Sequence, residues 1–414
     1  MDQTGMRPLT DIRVLSVTVF LAGPFLGMTL ARFGAEVIKI EMPGSGDPIR
    51  GMGPFAGPRG VHPERQSDDD LSTRFLKRSE GVKSVTLNLK DPNGKAMFLD
   101  LAKQADVVVE NLSPGSLSRL GLSYEDVRAV NPGIIYCSIS GYGQTGPYKD
   151  LPAHDYQIQA MSGIMDMNGA ADGPPTRIGI FVGDLVTPLY AAYSILGALR
   201  HREKTGEGQY LDASMMDTLA SLMFMETIEE SVRQGKTLRS GNDGRGDPTG
   251  LYRLTDGDLF ITVGTAERWR RLCDALGAGD VHDNPRYATA SAREQHVGEL
   301  RAAIQARLGH YDCASGTKLL QEAGIPVAPV RTLSQVMDDP HLQERGTLRP
   351  MFLHGDETPV AGNLMAGFPV TFSGGALPRL EGGPKLGAHN EEIYGDLLGL
   401  DHEAIARLRD KGVV

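Results

Sequence analysis

Asp184 is the residue best placed for covalent chemistry, because its carboxylate follows an apolar run and precedes a long apolar helix. An ionised carboxylate is a nucleophile, and a crevice at the end of a strand, near the positive end of a helix, suits a reacting group. The alternative is structural, since acidic residues before helices commonly cap them. Thr187 and Pro188 suit the cap and first helical positions, so we predict that the helix begins there and leaves Asp184 for chemistry.

Three other groups contain residue types that are common in disulfide, metal or nucleotide sites, but their spacings do not match such sites. Cys137, Cys273 and Cys313 match neither a disulfide framework nor a zinc site and indicate reduced thiols. The acidic run 68–70 lacks the histidine partners or calcium-loop spacing of a metal site and is typical of a solvated turn. The glycines of 241–246 do not follow a strand and open a helix, as a dinucleotide fingerprint must. We therefore predict no metal site and no nucleotide fingerprint.

The elements that must position Asp184 alternate along the first half of the chain. Apolar runs predict strands, and the segments between them predict helices. The predicted strands are 12–17, 37–40, 84–89, 106–110 and 134–138, and the predicted helices are 23–34, 94–104, 124–130 and 188–202. This alternation indicates an α/β fold with a mostly parallel sheet and helices on its faces. Residues 43–80, rich in glycine, proline and charge, are predicted to form a long loop.

A change of composition after Gly241 predicts an inserted domain. An alternating strand at 259–263 is followed by a helix at 267–276, and a return segment begins at Gly324. A chain of 414 residues also exceeds what one core usually organises. The predicted division is a large domain formed by 1–215 and 324–414, a small α+β domain at 241–310, and linkers at 216–240 and 311–323.

Composition and charge limit the partners. The hydrophobic fraction of 40% and the charged fraction of 23% are typical of a globular protein. The net charge of −10 gives no overall electrostatic footprint for nucleic acid or an anionic membrane. No secretory signal is recognisable, and no apolar stretch is expected to have the length needed to cross a bilayer. We therefore expect a cytoplasmic protein that binds neither nucleic acid nor membrane.

Five sequence patterns occur in one order along the chain. They are AGPFLGMTLARFGAEVIKIEMPGSGDPIR at 22–50, VVVENLSPGSLSRLGL at 107–122, GYGQTGPYKDLPAHDYQIQAMSGIM at 141–165, GDLVTPLYAAYSILGALRHREKTGEGQ at 183–209, and GIPVAPV at 324–330. Together they resemble the family III coenzyme A transferases of the CaiB/BaiF superfamily, which include formyl-CoA transferase and carnitine CoA-transferase. The resemblance implies a Rossmann-like large domain built from both chain ends, a small inserted domain, and a homodimer of interlocked ring-shaped subunits.

The resemblance also implies a reaction, the transfer of CoA from an acyl-CoA thioester to a free carboxylic acid. The family's aspartate at the position of Asp184 attacks the thioester, forms an acyl-aspartyl anhydride, and later carries CoA as an aspartyl thioester. A carboxylate suits this role because its anhydride is reactive enough to be reopened. Backbone N–H groups of Gly244 and Gly246 are expected to support the oxyanions. Coenzyme A and acyl-CoA are substrates, and no permanently bound cofactor is expected.

The resemblance further assigns positions in the CoA site. CoA carries a diphosphate and a 3′-phosphate, so its site needs local cations and backbone donors. The matching positions are Arg119 for phosphate, Asn111 and Leu112 for CoA, and Ala22 and Leu87 for adenosine or pantetheine. Ordinary core packing is the alternative role for the apolar members. Met42 stands where the formyl-CoA enzyme has an arginine, so the adenine contacts are expected to differ.

The α-methylacyl-CoA racemases share the superfamily and resemble the chain at His154-Asp155, Asp184 and Glu267. A racemase needs two acid/base groups on opposite sides of a Cα, and the near-neutral pKa of histidine suits one of them. Racemases carry GDFGGG where this chain has GDLVTPLY, so the transferase is favoured and the racemase is the alternative. His154 alternatively only hydrogen-bonds a turn after Pro152. A non-catalytic CoA-binding protein would be expected to have lost Asp184, which is intact.

The acceptor acid is not defined by these patterns. Residues that select a substrate commonly lie in loops, where type and spacing carry no general code. Four cations are candidates for pairing the acceptor carboxylate: Arg50, Lys149, Arg177 and Arg245.

Overall fold

The computed structural model describes residues 6–226, 228–235, 239–243, 247–353, 358–377 and 380–414. The strands within them are β1 Arg13–Val17, β2 Glu36–Glu41, β3 Phe55–Gly57, β4 Gly60–His62, β5 Leu71–Ser72, β6 Lys83–Thr86, β7 Val107–Glu110, β8 Ile135–Ser140, β9 Gln209–Ser214, β10 Gly250–Arg253, β11 Asp258–Ile261, β12 Val327–Pro329, β13 Leu348–Phe352 and β14 Pro359–Ala366.

The α-helices of the described residues range from one turn to 24 residues. They are α1 Ala22–Arg32, α2 Thr73–Arg78, α3 Pro92–Ala102, α4 Ser116–Arg119, α5 Tyr124–Val130, α6 Asp155–Met161, α7 Ile164–Met167, α8 Val182–Thr205, α9 Met215–Met223, α10 Ile228–Arg233, α11 Ala266–Ala275, α12 Gly279–His282, α13 Ala290–Gln295, α14 Val297–Leu308, α15 Cys313–Glu322, α16 Leu333–Met337, α17 Pro340–Glu344, α18 Asn390–Leu398 and α19 His402–Asp410. Short 3-10 helices lie at Pro48–Gly51 and Pro285–Tyr287.

The central sheet has six parallel strands in the order β6-β2-β1-β7-β8-β9. Numbered by their sequence within the sheet, the strands run 3-2-1-4-5-6, the order of a doubly wound dinucleotide-binding fold. The direction of winding reverses between β1 and β7, so a crevice opens where these two strands end. The predicted α/β fold with a mostly parallel sheet is confirmed.

The inner strands β1, β7 and β8 are buried on both faces, which explains an apolar run such as that of β7. Along β7, Val107 and Val109 join the apolar cluster of one face, whereas Val108 joins the cluster of the other face. All three valines are fully buried, and each such side chain stabilises the fold by about 1.5–3 kcal/mol. Helices α1 and α8 contribute to the first cluster, and α3, α5, α18 and α19 contribute to the second.

The chain divides into two compact units, one formed by 1–164, 178–226 and 340–414 and the other by 165–177 and 227–339. These limits differ from the predicted ones. The return segment stays in the smaller unit because β12 pairs antiparallel with β11, in a sheet of order β10-β11-β12. The segments predicted as linkers contain α9, which packs on α8, and α15, which packs on β11 and β12.

The segment 43–80, predicted to be a loop, has structure of its own. It forms the antiparallel sheet β4-β3-β5, a 3-10 helix and α2. Arg50 anchors it: the guanidinium donates to Glu41 at 2.7 and 2.8 Å and lies 3.5 Å from the centre of the Phe75 ring. Arg50, one of the charged residues that predicted a loop, is therefore part of a buried ion pair.

Helix α8 is long and apolar enough to cross a membrane, with a mean hydropathy of 1.3 over 18 residues. The prediction that no stretch has such a length and composition is wrong. The helix packs against α1, α6, α9, β8 and β9, and 44% of the apolar window is buried. These contacts are typical of a core helix in an α/β fold.

Candidate active site

A cavity of about 580 Å³ lies in the larger unit at the crevice predicted by the strand order. Its walls come from the segments that follow β1, β7 and β8, together with the approach to α6, the first turn of α8 and the start of α9. The acids among its lining residues are Asp150 and Asp184, and the basic side chains are Arg119, Lys149 and His154. The topology therefore gathers distant parts of the chain around Asp184.

Asp184 lies inside the first turn of α8 and not before the helix. The helix begins at Val182, so the predicted start at Thr187 and Pro188 is wrong. Thr187 is buried within the helix, and Pro188 is tolerated at an interior position one turn after Asp184. A proline there has no N–H to bond to the carbonyl of the residue four positions earlier, which is Asp184.

The cap of α8 comes from Asp155, the first residue of α6. Phe181 precedes the helix and provides no side-chain cap. Asp155 Oδ1 instead accepts hydrogen bonds from the backbone N–H groups of Gly183 at 2.6 Å and Asp184 at 3.2 Å. This charged cap satisfies two helix N–H groups and interacts favourably with the helix dipole. The structural role first considered for Asp184 therefore belongs to Asp155.

Gln159 holds Asp155 in place. Both side chains are buried, and Gln159 Nε2 donates to Asp155 Oδ2 at 2.5 Å and to the Ile180 carbonyl at 3.1 Å. The amide oxygen of Gln159 accepts from the Ile178 N–H at 2.9 Å. The approach to α8 and its first turn are thus tied to α6 by a connected polar network.

The electrostatic environment makes Asp184 unusual. Burial, and then the nearby charge of Asp155, raise the pKa of the Asp184 carboxyl to about 6, while Arg78 acts in the opposite direction. Among the described residues, the Asp184 carboxylate has neither a hydrogen-bond partner nor an ion-pair partner. A half-buried carboxylate with no structural partner and a raised pKa is a candidate for chemistry.

Arg78 was not a predicted site residue. It lies half-buried at the end of α2, and its Nη1 donates to the Phe20 carbonyl at 3.2 Å. Phe20 lines the cavity with a φ of 66°, a strained value for a residue with a side chain, and its N–H donates to Asp47 at 3.1 Å. Arg78 therefore holds the strained turn after β1 through a hydrogen bond and also acts electrostatically on the carboxyl of Asp184.

His154 and Asp184 line the same cavity, but Glu267 lies in the smaller unit. His154 is exposed and immediately precedes α6, where its backbone N–H donates to Gln157 Oε1 at 3.1 Å. Glu267 occupies the first turn of α11 and pairs with Arg270 at 3.1 Å and Arg271 at 2.8 Å. Hydrogen bonds from these arginines lower the pKa of Glu267.

Both polar atoms of the Asn111 side chain form a hydrogen bond within the protein. Its Oδ1 accepts from the Val19 N–H at 2.8 Å, and its Nδ2 donates to the Val19 carbonyl at 2.9 Å. A Cβ on Gly23 would lie only 2.8 Å from Asn111 Cγ and 2.5 Å from Thr18, so α1 begins with a close approach that only glycine allows. Asn111 thus joins the ends of β1 and β7 and shapes the cavity with its backbone neighbours.

The remaining predicted CoA positions line two adjoining cavities. Ala22 lines the first, Leu87 lines a second of about 390 Å³, and Leu112 and Arg119 line both. Arg119 is exposed, and its guanidinium donates to Ser116 Oγ at 3.1 Å and, more weakly, to the Pro114 carbonyl at 3.4 Å. Leu87 and Ala22 are also buried in the core, so packing and cavity lining coexist at these positions. Met42 also lines the second cavity.

Glu110 is a further buried acid that sequence reasoning missed. It ends β7, and its Oε2 accepts from the Leu112 N–H at 2.9 Å, which holds the segment carrying Asn111 and Leu112. Burial raises the pKa of Glu110 to about 7, against the effect of hydrogen bonds from Ser138 and Leu112. The only signal in the sequence is an acid at the end of an apolar strand.

The four cations predicted as candidates for pairing the acceptor carboxylate differ in their positions in the structure. Arg50 is buried and pairs with Glu41, so it has a structural role. Arg177 belongs to the smaller unit. Arg245, together with the predicted oxyanion donors Gly244 and Gly246, lies outside the described residues. Lys149 lines the same cavity as Asp184.

Known proteins similar to this chain match it over most or all of its length. The family model described as CoA-transferase family III matches residues 9–390. The succinyl-CoA–D-citramalate CoA-transferase of Chloroflexus aurantiacus is 36% identical over 100% of both chains, and the succinate–glutarate CoA-transferase of Agrobacterium fabrum is 34% identical over 96% of this chain and 97% of its own. A crystal structure of a CaiB/BaiF family protein from Brucella suis, 32% identical, superposes with a TM-score of 0.81 over 93% of this chain and 98% of its own. The resemblance inferred from the five patterns is confirmed, and the chain belongs to CoA-transferase family III.

Proposed function

We propose that the protein transfers coenzyme A from an acyl-CoA thioester to a free carboxylic acid, with Asp184 as the covalent carrier. The observation that carries this proposal is the placement of Asp184. Its carboxylate is half-buried, has no partner among the described residues, and lines a cavity at the switch point of the sheet. Asp155 caps the helix, so the carboxylate of Asp184 has no structural task.

The proposed cycle has four steps on one carboxylate. Asp184 attacks the acyl carbon of the donor, the C–S bond breaks, and CoA leaves as the thiolate from an acyl-aspartyl anhydride. The thiolate attacks the aspartyl carbonyl carbon, which releases the donor acid as a carboxylate and leaves an aspartyl-CoA thioester. The acceptor carboxylate displaces the thiolate to form a second anhydride. The thiolate then attacks the acceptor carbonyl carbon, which yields the new acyl-CoA and restores ionised Asp184.

The two adjoining cavities support a binding mode for CoA. Arg119 and Leu112 line both cavities, so a phosphate paired with Arg119 would lie where they meet. The largely apolar second cavity would take the adenosine end, and the pantetheine arm would extend toward Asp184. Coenzyme A is a substrate in this proposal, and the chain's own residues perform the chemistry.

Isotope exchange tests the proposed transfer. The protein is incubated with an acyl-CoA and the ¹³C-labelled free acid of the same acyl group, using acetyl, succinyl and glutaryl pairs. The proposal predicts that label enters the thioester of at least one pair. Absence of exchange with every pair, by folded protein, would contradict it.

Epimerisation of a 2-methylacyl-CoA is the second candidate, because His154 lines the same cavity as Asp184. His154→Ala distinguishes the two. For a transferase we expect a change in kcat/KM of less than about threefold, since the ring forms no bond in the covalent cycle, whereas a general acid/base would lose about 10²–10⁴-fold. Deuterium from solvent at Cα, lost in His154→Ala, would support the racemase and contradict the transferase.

We also propose the interlocked homodimer implied by the family. Leu189, Tyr193 and Leu196 follow one another at helical spacing on α8, and all three are exposed in the single chain. A second copy of the chain would cover this apolar face. Light scattering should give twice the chain mass, and a monomer at micromolar concentration would contradict the proposal.

A further inference from the structure

We propose that Lys149 binds the non-reacting carboxylate of a dicarboxylic acid and thereby selects the acid that exchanges CoA at Asp184. This inference rests on the proposed transfer function and adds a substrate class to it. Lys149 lies on the segment between β8 and α6, is exposed, and lines the cavity that Asp184 lines. Within the described ranges, its ammonium forms neither an ion pair nor a hydrogen bond.

The other cations near this cavity already have partners. Arg78 donates to the Phe20 carbonyl and acts on the carboxylate of Asp184 itself. Arg119 donates to Ser116 Oγ and lies at the meeting point of the two cavities, where the proposed binding mode needs it for phosphate. Lys149 is therefore the lining cation that the rest of the mechanism leaves available.

The chemistry of the transfer gives this cation a task. The reacting carboxylate of the acid loses its charge when it becomes an anhydride or a thioester at Asp184. A second carboxylate on the same acid stays ionised through every step, and partial removal of its water is costly unless a cation compensates. A lysine supplies three donors on a flexible stem, so it can pair with a carboxylate at the far end of acids of several lengths.

The neighbouring charges moderate the expected effect. Asp150 lines the same cavity beside Lys149, and its negative charge opposes the binding of an anion. His154 lines the cavity as well. Since Lys149 is exposed, we expect its ion pair with the acid to change KM by about tenfold and kcat very little.

Three variants test the assignment. Lys149→Met removes the charge and keeps much of the length, Lys149→Arg keeps the charge, and Lys103→Met is the control. Lys103 is an exposed lysine that pairs with Asp100 beside α3, outside both cavities. The readouts are the KM values for succinate and glutarate, the KM values for butyrate and pentanoate as monocarboxylates of matching length, and the inhibition constant of free CoA.

We expect Lys149→Met to raise the KM for succinate or glutarate about tenfold, with the monocarboxylate KM and the inhibition constant of CoA unchanged. Lys149→Arg should restore the dicarboxylate KM to within about threefold, and Lys103→Met should match the wild type. Equal KM values for dicarboxylates in Lys149→Met and wild type would overturn the inference, as would a wild type that uses only monocarboxylates.

A weaker inhibition by free CoA in Lys149→Met would also overturn it, because Lys149 would then bind a CoA phosphate. Each of these results leaves transfer by the wild type intact and therefore leaves the proposed function standing. Failure of the wild type to exchange CoA with any acid would instead overturn the proposed function, and this inference with it.

Discussion

Helices α8 and α11 each carry an acid in the first turn, and these two acids have opposite environments. Asp184 in α8 is half-buried without a partner, and burial raises its pKa to about 6. Glu267 in α11 is exposed and paired with two arginines, which lower its pKa. The same position on a helix therefore does not indicate the same role. Burial and the availability of partners separate a candidate nucleophile from a surface ion pair.

The caps explain how the two environments arise. Helix α11 is capped locally, because Thr265 Oγ1 accepts from the Arg268 N–H at 3.2 Å. Helix α8 is capped from a distance in sequence by Asp155, on another helix. A tertiary cap brings a second negative charge near Asp184 and leaves its carboxylate unbonded, which a local cap would not do.

The largest expected effect contrasts the two acids directly. Asp184→Asn keeps the shape of the side chain but removes the nucleophile, so we expect kcat to fall by about 10³-fold or more with the inhibition constant of free CoA nearly unchanged. Glu267→Gln should change kcat by less than about threefold, because it disrupts only exposed ion pairs. Steady-state transfer assays measure both. Comparable losses in the two variants would remove the distinction drawn between the helices.

The second effect concerns the caps. Asp155→Ala leaves two N–H groups of α8 without a charged acceptor in a buried setting, and we expect it to destabilise the protein by about 1–3 kcal/mol. Thr265→Ala, the matched change in α11, should cost about 1 kcal/mol. Hydrogen exchange should show faster opening at Gly183 and Asp184 in the first variant only. Unchanged exchange there would show that Asp155 does not hold the turn.

The third effect is a shift of pH dependence. Protonation of Asp184 removes the nucleophile, so kcat/KM should fall as pH decreases through about 6. Arg78→Met removes the cation that lowers the pKa of Asp184, so the acidic limb of the pH profile should move to higher pH. Asp155→Asn removes the negative charge that raises this pKa, so the acidic limb should move to lower pH. Shifts in the same direction for both variants would contradict the electrostatic assignment.

Stability should carry the opposite sign of pH dependence from activity at this residue. The pKa of Asp184 is higher in the folded protein than its ordinary value of 3.8, so folding favours the protonated form. The contribution of Asp184 to stability is therefore most favourable below about pH 4 and declines as pH rises through about 6. The free energy of unfolding, measured at about pH 4 and at a pH above 6, should therefore fall less between the two pH values in Asp184→Asn than in the wild type.

The parallel sheet was predictable because it depends on local patterns. The run Val107–Val109 is continuously apolar, as a strand buried on both faces requires. The start of α8 was not predictable in the same way, since Thr187 and Pro188 satisfy the local rule for a helix start while Asp155 supplies a stronger cap through the fold. Local capping rules cannot include an acceptor on another helix.

The composition of the site shows the same limit. Asp184 and Lys149 were candidates from their residue types and Arg119 from the family resemblance, and all three line one cavity. Arg78 lies in a segment whose glycines, prolines and charges predicted a loop, and its relation to Asp184 depends on the placement of α2. Asn111 matched a CoA position, yet its amide is committed to Val19, which lies 92 residues away.

Mass spectrometry of the protein with an acyl-CoA that it uses, followed by hydroxylamine trapping, tests the central claim most directly. The account predicts a hydroxamate on Asp184 that forms only in the presence of the acyl-CoA and is absent in Asp184→Asn. A hydroxamate at another residue, or turnover by the wild type with no adduct on Asp184 under conditions that trap a control anhydride, would contradict the covalent role of this carboxylate.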